Sequence, residues 1–177
     1  MRLEACRILT AWLQDVTYGA NAKLALLTLD GSDVRPTAMA TITDETQNNS
    51  VALGRVDGLT LPALVVTHRE TTFRDSELPQ SDVRADGYVT LRVRYALREA
   101  GAATAVVDGA YVMRAVIASL RELHKPDNAA SRQRNSIGLI SCEELRQLTM
   151  SEVVEDTWYT EAVDVRYYAA DLKGLGV

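Results

Sequence analysis

Cysteine and histidine are scarce in this sequence of 177 residues, which contains two of each. Cys6 and Cys142 lie far apart, so there is neither a CxxC pair nor the regular spacing of a disulfide-rich domain. His68 and His124 have no second His, Cys or paired carboxylate at the spacing of metal ligands. The sequence therefore predicts no metal site and no disulfide framework.

The motifs of common enzyme classes are missing as well. The sequence has no Gly-x-Ser-x-Gly nucleophile elbow and no glycine-rich phosphate loop between a strand and a helix. Most of its acidic residues fall in polar loops or at helix ends, where solvated charge is the default interpretation. We therefore expect no catalytic residues, no cofactor and no enzymatic activity.

The sequence also lacks a basic block and a long apolar run. Nineteen Lys and Arg against 24 Asp and Glu give a formal charge of −5, which argues against a dedicated nucleic-acid-binding surface. No apolar stretch approaches the ~20 residues that cross a bilayer. The N-terminus is unlike a signal peptide, because after Arg2 it carries Glu4 and Arg7 where an apolar stretch should begin. We expect a protein made in a cytoplasm, without a membrane contact.

The composition that remains is that of one folded domain, which we assign to residues 1–177. Hydrophobic residues make up 47% of the chain, enough for a substantial core. Seven Tyr and two Trp accompany a single Phe. This bias suits half-exposed strands and subunit contacts, although a sample this small also permits chance.

Hydrophobic periodicity predicts the elements of the first half of the chain. Residues 3–16 form an amphipathic helix, with Val16 on its apolar side and Gly19 as its end. Residues 20–29 fit either a short helix or a buried strand. Residues 37–56 alternate weakly around the polar segment 44–50 and predict a β-hairpin with a long tip. Residues 59–67 predict an apolar strand, with Pro62 near its beginning.

The second half of the chain has clearer patterns. A polar loop is predicted over residues 68–84, and strict alternation predicts a strand over 85–97. Asp108 is placed to cap an amphipathic helix that runs to His124. Residues 137–140 suggest a short strand, Ser141 and Glu144 suggest a capped helix through 148, and residues 158–170 predict a final strand. The fold class is α+β: a mostly antiparallel sheet packed by an N-terminal helix and a central amphipathic helix.

Two arginines are the one basic feature of the strand at 85–97. Arg92 and Arg94 alternate with its core-facing residues and should point away from the core. Charges in this position are often only solvated or protect a sheet from aggregation. Arginines on a sheet face also pair with carboxylates across subunit interfaces, and both interpretations stay open.

Three segments together resemble the tail-terminator (tail-completion) family of long-tailed bacteriophages. They are the N-terminal helix 3–16, the strand opened by Leu61-Pro62-Ala63-Leu64-Val65-Val66 with its polar loop, and the alternating strand 88–95 that leads into helix 109–124. The final strand, 158–170, would close the sheet. The head-closure (stopper) ring and collar proteins of the phage neck share this size and class.

The resemblance implies a structural virion protein. Members of that family form a hexameric ring that caps the tail tube and receives the head connector. The implied partners are other copies of the chain, the tail tube protein, the head-closure or connector protein, and the tail sheath where the tail is contractile. DNA would pass through the lumen without specific binding, which the acidic charge suits. We expect loops 44–50 and 68–84 to contact neighbouring rings.

Two other classes of function remain as alternatives. One is a small bacterial enzyme or ligand-binding domain whose site is assembled from His68, Glu70 and loop carboxylates; it would show a pocket with perturbed acid or base groups. The other is a cytosolic adaptor that binds a peptide at a sheet edge, which would leave an accessible edge strand.

Overall fold

A computed structural model describes residues 2–52, 58–74, 84–96, 102–123, 125, 145–148 and 158–169. Its elements in chain order are α1 (Arg2–Leu13), α2 (Ala20–Leu26), β1 (Thr41–Asp44), α3 (Asn49–Ala52), β2 (Ala63–Arg74), β3 (Arg84–Ala96), α4 (Ala102–Leu123), β4 (Leu145–Leu148) and β5 (Trp158–Ala169).

The strands form one sheet in the order β1-β2-β3-β5-β4. Only β1 and β2 are parallel; β2 pairs with β3, β3 with β5 and β5 with β4 in antiparallel ladders. Helices α1 and α4 both pack against the sheet, and α2 packs on α4. The predicted α+β class, with a mostly antiparallel sheet, is therefore confirmed.

One face of the sheet, called here the helix face, carries the core. It contributes alternate apolar residues of the three central strands, all buried: Leu64, Val66, Val89, Leu91, Val93, Val163, Val165 and Tyr167. Trp12 of α1 is fully buried above them and donates from Nε1 to the carbonyl of Ser119 on α4, at 2.8 Å. This bond satisfies the indole N–H and fixes α1 against α4.

The predicted hairpin over residues 37–56 is wrong. Among residues 37–52, the part of this range that the structure describes, the strand is Thr41–Asp44, which pairs in parallel with β2, and Asn49–Ala52 are helical. Oδ1 of Asp44 accepts bonds from the N–H groups of Thr46 and Gln47, and Asn48 then caps α3 through the N–H of Val51. These local side-chain bonds turn the chain into a helix where the hairpin would have continued.

The predicted loop over 68–84 is also wrong at both of its ends. Strand β2 starts at Ala63, directly after the cis Leu61–Pro62 bond, and continues to Arg74, while β3 begins at Arg84. The second half of β2 is polar in sequence and was therefore predicted as a loop. It is a strand because its main chain pairs with β3, which does not require alternating apolar side chains. Strand β3 itself confirms the predicted alternation.

The helices differ from prediction at their ends. Helix α1 stops at Leu13, so Val16 is 92% exposed and not on the apolar side. Residues 20–26 are helical, which decides between the two structures predicted there. Helix α4 starts at Ala102, six residues before the predicted cap, because the alanines there favour helix. Asp108 therefore lies inside α4, where burial raises the pKa of its carboxyl.

Residues 145–148 form strand β4 and not the end of a capped helix. Four residues are too few for local propensity to outweigh the ladder with residues 162–165 of β5. The predicted strand at 137–140, Cys142 and His124 lie outside the described residues. The last strand, β5, confirms the prediction to within one residue at its end.

Candidate assembly surface

The face of the sheet opposite the helix face carries the predicted arginines. In the ladders Arg92 stands between Val65 and Ala162, and Arg94 stands next to Ala63. The three apolar neighbours are buried, whereas both arginines are half-buried. Small neighbours leave room for the long side chains to lie along the sheet, and Nε of Arg94 is buried there.

A buried carboxylate lies at the centre of this second face. Asp164 is 1% exposed and accepts a bond from Oγ1 of Thr90 at 2.7 Å. Its other oxygen pairs with the guanidinium of Arg69 at 2.5 Å. Arg69 occupies the irregularity between His68 and Glu70, where the register of β2 shifts. The bulge lets Arg69 reach across β3 to β5.

The sequence did not single out Asp164 as a site residue. A signal was present, since an acid stands between Val163 and Val165 in a strand that is otherwise suited to burial. Its partner could not be found from sequence because Arg69 reaches it only through a bulge. The network joins three strands, and its role in the described structure is to hold the second face together.

The histidine of the alternative enzyme hypothesis lies on the helix face. Nε2 of His68 is 3.1 Å from the hydroxyl of Tyr167, whose ring is buried. Glu70 is exposed and stands opposite Tyr88, whereas His68 stands opposite Val89 in the core. The two side chains therefore lie on opposite faces of the sheet, and the fold does not bring them together.

Strand β1 is an edge of the sheet, and three carboxamides line the groove beside it. Asn21 accepts from the N–H of Met39 at 2.9 Å and donates to its carbonyl at 3.0 Å. Gln14 donates to the carbonyl of Ile42 at 2.7 Å. With Gln47, these residues line a shallow groove of about 450 Å³. The amides bond the edge as a neighbouring strand would.

A tyrosine holds the segment after α2 against α4. The hydroxyl of Tyr111 donates to Oδ2 of Asp33 at 2.7 Å and accepts from the N–H of Asp30 at 2.9 Å. The guanidinium of Arg114 lies 5.5 Å from the centre of the Tyr111 ring. The bond to Asp33 raises the pKa of Tyr111 above its usual 10.0, so the folded protein favours the protonated hydroxyl.

We expect Tyr111→Phe to lower the melting temperature at neutral pH, because both hydroxyl bonds are lost. A raised folded pKa means that this stabilisation is complete below the unfolded pKa of about 10 and is lost as the pH rises through the folded value. Thermal unfolding of both proteins, followed by circular dichroism between about pH 7 and 11, should show a difference that shrinks at alkaline pH. Tyr18→Phe is the control, and a Tyr111 effect that does not change with pH would contradict the assignment.

Two kinds of site are not found in the described parts of the chain. No group of three or more His, Cys, Asp or Glu residues is placed to hold a metal ion there. No helix among these residues is both long and apolar enough to span a membrane.

Comparison of the chain with models of known protein families and with curated proteins found no match.

Proposed function

We propose that this protein is a structural virion subunit that forms a ring, with six members, at the head–tail junction of a long-tailed bacteriophage. The observation that carries the proposal is one sheet, covered on one face by α1 and α4, which ends in two different edge strands, β1 and β4, in the described part of the chain. A closed ring needs two different, complementary surfaces on every subunit. The two edges supply such a pair of surfaces.

The exposed side chains support an assembly role. The N-terminal half of α4 exposes Val106 and Val107, and Leu26 and Val34 are 77% and 82% exposed. Val106 and Val107 are adjacent in sequence, and we propose that this pair is buried against a partner in the ring. The second face of the sheet adds Arg92, a residue type enriched at protein interfaces.

The proposed partners are those of a terminator or neck ring: the tail tube, the head-closure or connector protein, and a sheath in a contractile tail. The first predicted contact segment, 44–50, consists of the end of β1, the turn after it and the start of α3. A net charge of −5 suits a lumen through which DNA slides without being held. The protein would be made in the host cytoplasm and end in the virion.

The enzyme alternative has less support. It requires His68 and Glu70 to act in one site, and the register of β2 and β3 places them on opposite faces. The hydroxyl of Tyr167 already lies within bonding distance of His68. The role of a peptide-binding adaptor shares the edge strand with the ring proposal, and the assembly state distinguishes the two.

We expect the purified protein to form closed rings, alone or on the ends of tail tubes. Mass photometry gives the number of subunits, and negative-stain images show whether the particle is closed. The experiment is made with the protein alone and with candidate tube and connector proteins. A protein that stays monomeric with every tube and connector would refute the proposal.

A further inference from the structure

The two edge strands of the sheet run in opposite directions. β1 is parallel to β2, and three antiparallel ladders then follow, so β5 runs with β1 and β4 runs against it. Each edge strand has four residues. If the sheet of one copy continued into the sheet of the next, β1 of one copy would lie antiparallel to β4 of the other. Because the two strands are equally long, all four residues of each could be paired.

The hydrogen-bonding direction of β1 follows from its contact with β2. The N–H of Thr41, the first residue of the strand, donates to the carbonyl of Pro62 at 3.4 Å, and the N–H of Ala40, just before the strand, donates to the same carbonyl at 2.9 Å. Alternate residues of a strand bond the same neighbour, so the main-chain groups of Ile42 and Asp44 point out of the sheet. The bond from Gln14 to the carbonyl of Ile42 is consistent with this direction.

The same alternation can be followed through the sheet to β4. Even-numbered residues of β2 bond β1, so its odd-numbered residues up to Thr67 bond even-numbered residues of β3. Odd-numbered residues of β3 and β5 then bond each other, and even-numbered residues of β5 bond even-numbered residues of β4. Leu145 and Gln147 are left with main-chain groups that point outward.

These two patterns fit each other in one register. Full overlap of the strands places Thr41 opposite Leu148, Ile42 opposite Gln147 and Asp44 opposite Leu145 by their order in the chain. In this register the outward main-chain groups of both strands face one another. The register also keeps the helix face continuous. Ile42 stands beside Leu64 in one ladder and Gln147 stands beside Val163 in the other, and Leu64 and Val163 both belong to the helix face.

The carboxamide of Gln14 is then a replaceable cap on the edge. It bonds the Ile42 carbonyl from an exposed position and lies 3.5 Å from Gln47 Oε1. An incoming strand would take over the bond to Ile42 and leave Gln14 to water. Asp44 is fully buried and its carbonyl is already bonded by the N–H groups of Gln47 and Asn48, so Ile42 is the residue of β1 that offers its main-chain groups to a partner.

We propose that β1 of each subunit pairs with β4 of the next subunit, so that the sheet continues from copy to copy around the ring. This inference rests on the proposed function, because it describes the contact that closes the ring. The contact is heterologous: every copy pairs its β1 edge with one neighbour and its β4 edge with the other, and rotation closes the assembly. The pair is a strand addition made with main-chain bonds.

Engineered disulfides test the register. In a Cys6→Ala, Cys142→Ala background, Thr41→Cys with Leu148→Cys should give a ladder of covalent oligomers on a non-reducing denaturing gel after mild oxidation. The matched control pairs Thr41→Cys with Gln147→Cys, which places the two sulfurs on opposite faces. It should remain monomeric on the same gel.

The outcomes separate the contact from the ring itself. Rings by mass photometry without covalent oligomers from the 41/148 pair overturn the edge contact and leave the ring proposal standing. Dimers from Thr41→Cys alone overturn it too, since they indicate β1 pairing with β1. Absence of any ring refutes both proposals together.

A second measurement needs no substitution. Hydrogen exchange of the native protein, compared between dilute monomer and assembled ring, should slow at Ile42 and Gln147, whose main-chain groups face each other in this register, roughly tenfold or more as expected for amides that gain a bond. Unchanged exchange at these two amides in a ring would overturn the edge contact even where the cysteine variants fail to fold.

Discussion

Replacing Gly87 with alanine should destabilise the protein by about 3 kcal/mol, at the upper end of the cost of overpacking. A Cβ atom on Gly87 would lie 2.2 Å from the carbonyl oxygen of Glu70 and 2.6 Å from the hydroxyl of Tyr167. The tyrosine could rotate away, but the Glu70 carbonyl belongs to the main chain of β2 beside the bulge. Relief of the clash therefore requires the β2–β3 ladder to open.

Urea unfolding at neutral pH measures this cost, and Gly31→Ala is its matched control. Gly31 has a φ of 57° and nothing within 4 Å of an added Cβ, so the change should cost only about 1 kcal/mol of backbone strain. A Gly87→Ala variant that is no less stable than Gly31→Ala would show that the strands do not approach this closely at the bulge.

Strong periodicity made the central strands and the long helix predictable. Alternation over β3 and β5 is nearly uninterrupted, and each strand buries one row of side chains beneath the helices, as with Leu91 and Val163. The apolar positions of α4 recur with the helical period, and Val112, Val116 and Leu120 are all buried. In these elements local pattern and tertiary environment favour the same structure.

Elements whose structure depends on a distant partner were not predictable. β1 is a strand because it pairs in parallel with β2, and its four residues carry too little pattern to show this. The turn that follows depends on Asp44 accepting bonds from the residues after it, in competition with the predicted hairpin. β4 likewise takes its conformation from β5.

The candidate surface was predictable only in part. The outward position of Arg92 and Arg94 follows from alternation, which is a local property. Whether these arginines meet a partner is a question of assembly that one chain does not answer. The edge groove required the tertiary structure, because Gln14, Asn21 and Ile42 come from three segments that are separate in sequence.

The ion pair on the second face gives the other large expected effect. Arg69→Ala should cost about 2 kcal/mol, because it leaves the carboxylate of Asp164 buried with Thr90 as its remaining partner in the described network. This value is set below that for a fully buried pair since the Arg69 side chain is 56% exposed. Adding Asp164→Asn to Arg69→Ala should recover part of the loss, because an amide is cheaper to bury than an unpaired charge and still accepts from Thr90.

A double-mutant cycle measured by urea unfolding gives the coupling between the two residues. Arg114→Ala is the matched control: its side chain is 54% exposed, and its ion pair with Asp30 is 3.8 Å long with an 84% exposed partner. That change, which also removes a contact with the Tyr111 ring, should cost about 0.5 kcal/mol. Equal losses for Arg69 and Arg114, or a further loss when Asp164→Asn is added, would show that the buried carboxylate does not depend on Arg69. A larger loss for Arg69 would show that the guanidinium on β2 neutralises the buried charge on β5.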